Sequence, residues 1–116
     1  MKQSRIIELY KATEKLAKIE GFTPNDQWKI YTLRKNFRPH VEFQQERERA
    51  LVEKYTPFAD DNGVIKGEPY LNYLKEKAEL NDLDVEFNCE KIVLPLLKGL
   101  TFQDIEELED IVEFKP

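Results

Sequence analysis

One cysteine, one histidine, one tryptophan and four glycines are all that this chain of 116 residues holds of those types. The lone Cys89 excludes an internal disulfide, and no Cys or His stands near it at metal-ligand spacing, so neither a disulfide framework nor a zinc site is available. The lone His40 excludes every site that needs a histidine pair. Its company is Arg38, Pro39 and Glu42, and no nucleophile or substrate pocket can be placed beside it. Apolar runs are short: nothing approaches the roughly 18 residues that a membrane-spanning helix needs. Met1 to Arg5 leads into an amphipathic pattern instead of a signal-peptide core, so the expected location is the cytoplasm.

What is abundant is charge. Charged residues make up 35% of the chain and hydrophobic ones 41%, which predicts one domain with a thin core. The net charge of -5 conceals a split. Residues 1 to 58 carry twelve Lys and Arg against eight Asp and Glu, a balance of +4, and residues 59 to 116 carry six against fifteen, a balance of -9. Such polarity suits contacts with a charged partner or head-to-tail association, although solvated surface explains it equally well.

Periodicity supplies the elements. Ile6, Leu9, Tyr10, Thr13, Leu16 and Ala17 recur at three- and four-residue steps, predicting a helix that starts after Ser4 and closes before Gly21. Thr23 is a fitting N-cap for a second helix with Pro24 at its first position and Asp26 at its positive end. This second helix runs to Tyr55, and we expect it to continue through Pro39 with a kink. A straight helix of that length spans about 48 Å. Its middle, Gln44 to Arg49, has nothing apolar to bury, so it should overhang its domain, bend, or meet another chain.

Asp60-Asp61-Asn62-Gly63 reads as a turn. A calcium loop with Gly63 sixth would put Phe58 first and Pro69 twelfth, where carboxylates are required. Glu68-Pro69 opens a third helix. Leu83, Val85, Phe87 and Cys89 then alternate with polar residues, predicting a strand that forms a β-hairpin with Ile92-Val93-Leu94, while Pro95 terminates that strand or confines it to an edge. Thr101 and Asp104 cap a last short helix through about Asp110, burying Phe102, Ile105 and Leu108. The fold class is thus α+β, mainly α, a single domain over 1–116. Residues 1–55 form a helical hairpin, and 56–116 a small α/β part with one helix, a β-hairpin and a short final helix.

No catalytic, cofactor-binding or metal-ligating residue emerges, which leaves interaction surfaces. Arg34, Lys35 and Arg38, with Lys29 nearby, form a basic patch interleaved with Trp28, Tyr31 and Phe37, a mixture suited to nucleic acid, although the pI near 5.0 argues against it. Leu33, Phe37, Leu51 and Tyr55 fall near a 3.5-residue repeat, with His40, Gln44 and Arg47 in the intervening seam positions. The acids Asp104, Glu106, Glu107, Glu109, Asp110 and Glu113 line the last helix and tail; Asp104 and Glu106 suit its early part, whereas those toward its C-terminal end oppose the dipole, and a basic partner such as the Arg34/Arg38 patch would relieve them.

The succession Leu33-Arg34-Lys35-Asn36-Phe37-Arg38-Pro39, Lys54-Tyr55, Asn62-Gly63, Asp84-Val85-Glu86-Phe87, Ile92-Val93-Leu94 and Leu100-Thr101 through Glu109 resembles a family of small uncharacterised proteins encoded by phages and prophages of Gram-positive bacteria. The resemblance runs from about Leu33 onward, and that family's function is unknown. It implies a phage setting within the host cytoplasm and carries over no catalytic residues. The expectation is a non-enzymatic structural, assembly or adaptor protein working through protein contacts, self-association included. A nucleic-acid-associated regulator is the alternative, and an enzyme comes third.

Overall fold

The computed structural model describes residues 1–116. Helix α1, Gln3–Lys18, buries Gln3, Ile6, Leu9, Thr13 and Leu16 along one stripe. It begins before Ser4 because Gln3 N–H donates to the Leu83 carbonyl at 2.8 Å and so anchors the first turn to a distant segment. The chain then reverses through Gly21, whose φ of 108° is a conformation that side chains resist.

Helix α2, Pro24–Tyr55, spans 32 residues without interruption. A capping box starts it: the Thr23 hydroxyl accepts from Asp26 N–H at 3.2 Å, and the Asp26 carboxylate accepts from Thr23 N–H at 3.3 Å. Pro39 lies inside the helix and leaves the Lys35 carbonyl without its usual donor, but both residues are exposed, so water can serve instead. One residue on, the buried Gln3 amide donates to the His40 carbonyl at 2.8 Å, tying α1 to α2 just past the proline.

A short 3-10 turn, Thr56–Phe58, leads to the expected Asp-rich turn, in which Asp60 Oδ1 accepts from the backbone N–H of both Asn62 and Val64 at 2.9 Å. Helix α3, Glu68–Asn81, returns along the distal half of α2. Strand β1, Ile92–Pro95, is followed by helix α4, Phe102–Leu108, and strand β2, Val112–Lys115.

The β-hairpin expected from 83–89 and 92–94 does not form. β1 pairs instead with β2, in parallel, with Ile92 opposite Val112 and Leu94 opposite Phe114. Parallel neighbours need a crossover, and residues 96–111 with α4 supply it. The predicted alternation holds from Val85 onward, with Val85, Phe87 and Cys89 turned toward the core, whereas Leu83, expected on the same face, is exposed. Its backbone meets the N-terminus through a single bridge, Lys2 to Asp84. A further correction concerns α4, which stops at Leu108 instead of Asp110, and whose Phe102 is 87% exposed instead of buried.

These elements make a body and an arm. The body packs α1, the first half of α2, α4 and the two strands around Ile6, Leu9, Leu33, Phe37, Leu94 and Ile111. The arm is the second half of α2 with α3 and the loop between them. Only 16 residues are buried, and the radius of gyration is 18.1 Å where a compact chain of this length would have about 13 Å. The long helix therefore overhangs its body, within overall extents of 54 × 30 × 22 Å.

Candidate interaction surfaces

The arm is held by few contacts. Tyr55 is its only buried apolar residue: its ring meets Tyr73 edge-on at 5.8 Å, and its hydroxyl donates to Glu76 Oε2 at 2.5 Å. Lys54 donates to the other Glu76 oxygen at 2.6 Å. These two donors hold the Glu76 carboxyl below its ordinary value, and the same contact raises both Lys54 and Tyr55. Nearer the body, Gln44 donates to Glu48 at 2.9 Å and to Asn81 at 3.1 Å.

Helix α3 has no buried residue. Pro69, Tyr73, Glu76 and Leu80 are its half-buried residues at the spacing of one stripe, and that stripe lies against α2. A second apolar stripe, Tyr70, Leu71, Leu74 and Ala78, is uncovered, with Leu71 64% and Leu74 41% exposed. Phe58 and Val64 add exposed apolar surface in the loop at the arm's far end. Single exposed leucines are ordinary, whereas a helix with two apolar stripes and one covering neighbour is not.

The basic patch stays on one flank of α2, with Tyr31 between Lys35 and the two arginines, but loses Phe37. Trp28 and Tyr31 stack at 5.6 Å with both rings exposed, beside Lys35. Phe37, which the same sequence pattern includes, lies wholly inside the body against Phe87 at 4.7 Å. Arg34 lies over the Tyr10 ring, 4.9 Å from its centroid, and neither Arg34 nor Arg38 makes an ion pair. Between α1 and α2 both arginines border a half-open cavity of about 310 Å³.

The proposed seam residues do not form a common surface. Leu33, Phe37, Gln44 and Tyr55 are buried within the chain, which corrects the expectation that they meet another copy. Arg47 and Leu51 border a shallow hollow between α2 and α3. Two acids of α4 and the turn after it find basic partners within the chain. Asp110 pairs with Arg5 at 2.6 Å and Asp104 with Lys15, so α1 supplies the positive charge assigned to the Arg34/Arg38 patch. Glu106 and Glu107 are exposed and unpaired.

His40 packs edge-on against Phe87 at 5.2 Å. The Cys89 thiol is pushed up by burial and lies 3.5 Å from the Glu90 carbonyl. No three His, Cys, Asp or Glu side chains converge as metal ligands would, and no helix is long and apolar enough to cross a membrane. The open stripe on α3 was missed in the sequence because the apolar residues of that helix were not resolved into faces. Projecting Tyr70, Leu71 and Leu74 at 100° per residue would have separated them from Tyr73 and Leu80. Compared with protein-family models, curated proteins and solved structures, the chain has no match among any of the three.

Proposed function

We propose that this is a non-enzymatic assembly or adaptor protein that acts through protein contacts, with the arm as its contact element. The observation that carries this reading is the second apolar stripe of α3, exposed on a helix that projects from the body. A second copy of the chain is the favoured occupant. An isologous pairing uses one patch twice, and two antiparallel α3 helices centred on Leu74 would set the large Tyr70 of each over the small Ala78 of the other. The result is a four-helix arrangement of two arms. The resemblance to phage and prophage proteins, a family of unknown function, suggests a host cytoplasm as the setting and bears on no role.

Light scattering over a range of protein concentrations tests this. The wild-type mass should rise toward that of a dimer, and the double substitution Leu71→Lys with Leu74→Lys should hold it at 13.8 kDa without altering helix content. A monomeric wild type throughout would discard self-association.

A nucleic-acid reading has one observation in its favour, the exposed Trp28–Tyr31 stack beside Lys35. It requires binding that weakens steeply with salt, with a log-log slope of about -0.9 per phosphate contact on duplex DNA. No binding to DNA or RNA at about 50 mM salt would remove it.

A further inference from the structure

The cavity between α1 and α2 lies on the body, away from the arm, and the contact reading makes no use of it. Its volume of about 310 Å³ is at the lower end of ordinary ligand sites, roughly 300–1,000 Å³. Tyr10, Ala17, Phe22 and Ile30 give it an apolar wall, and Arg34 and Arg38 stand one helical turn apart at its border. Two cations at that spacing repel each other, and no carboxylate of the chain pairs with either.

Arg34 adds a sharper sign. Its Nε is closed to solvent and has no hydrogen-bond acceptor. A buried donor without a partner is costly, and no acceptor of this chain meets the guanidinium. The Tyr10 ring, with its centroid 4.9 Å from the guanidinium carbon, adds a cation–π contact. A guanidinium offers its two Nη–H groups as a parallel fork, which matches the two oxygens of a carboxylate.

We propose that this cavity binds a small organic carboxylate with a flat apolar body, its carboxylate held by the Arg34 fork with Arg38 as the second cation, and its body against Tyr10, Phe22 and Ile30. The ligand contributes an acceptor that no group of this chain gives Arg34. It also neutralises the pair of arginines. Self-association through α3 neither requires this site nor is required by it.

Titration calorimetry with 2-naphthoate on the full chain tests the proposal, with 2-naphthamide and inorganic phosphate as comparison probes. The expected result is saturable binding of one naphthoate per chain, with the amide at least tenfold weaker. Arg34→Lys keeps the charge but loses the fork, and should weaken naphthoate at least tenfold while the thermal transition is unchanged. Ala17→Phe, at an exposed helix position, should block the apolar part and abolish binding with both arginines intact. Absence of saturable binding, equal affinity for acid and amide, or an unchanged Arg34→Lys variant would overturn the proposal. So would displacement of naphthoate by an equal concentration of phosphate, because a bare anion would then suffice.

Discussion

Glu76 shows how little holds the arm in place. It accepts from Lys54 and Tyr55 across the α2–α3 contact, and both donors depress its carboxyl below the ordinary glutamate value of about 4.3. A group depressed in the folded state contributes stability above its unfolded value, and that contribution disappears as pH falls through the folded value. Acidification below about pH 4.3 should therefore loosen α3 before the body. Amide exchange of α3 between pH 6 and 3 checks this, with Glu76→Gln expected to remove the pH-dependent step and to leave α3 less protected at neutral pH. An α3 that keeps its protection through that range in the wild type would show that the carboxylate matters little. Gln44 tells a related story: the seam pattern marked it as a position for another chain, yet its amide bridges Glu48 and Asn81 within this one. A sequence pattern records that a residue faces something, and the identity of that something is a tertiary fact.

Among the elements, those fixed by local chemistry were legible and those fixed by distant partners were not. The bounds of α2 followed from Thr23, Pro24 and Asp26 at one end and Tyr55-Thr56-Pro57 at the other, all acting within a few residues. The start of α4 followed equally from Thr101 and Asp104. β2 escaped notice because Val112-Glu113-Phe114-Lys115 follows an acidic run, although it alternates as a strand should. The partner of β1 was misassigned for a different reason: alternation in 83–89 predicts a half-buried extended segment correctly from Val85 onward, but periodicity carries no information on which edge it meets. Removing residues 112–116 should consequently abolish protection of the β1 amides and lower the thermal midpoint, while exchange at Val85 is little changed. Loss of protection at Val85 instead of in β1 would restore the hairpin.

Pro39 poses the other question at this scale. The helix passes through it, so Pro39→Ala restores a donor for the Lys35 carbonyl without rebuilding the fold. Stability should rise by up to about 3 kcal/mol, the span of the proline penalty in helix interiors, and denaturant unfolding measures it. A destabilised variant would show that the proline shapes the Gln3–His40 contact one residue further on.

The whole molecule is an elongated chain whose charge split has been partly absorbed inside it. Basic α1 meets acidic α4 through Arg5–Asp110 and Lys15–Asp104, which answers much of the polarity seen in the sequence. Both pairs are solvent-exposed to some degree and should weaken as salt screens them. The overhang was legible because a 32-residue helix cannot fit within a compact chain of this size. That α3 covers one side of the overhang and leaves its own outer stripe open was not, since it depends on how two helices rotate against each other.

Self-association depends on that outer stripe as a contact between copies, and amide hydrogen exchange followed against protein concentration tests it most directly. Residues 70–78 should gain protection as concentration rises through the association range, with the α1 and β1 amides unchanged. Protection in 70–78 that does not vary with concentration, or a gain confined to the body, would contradict it.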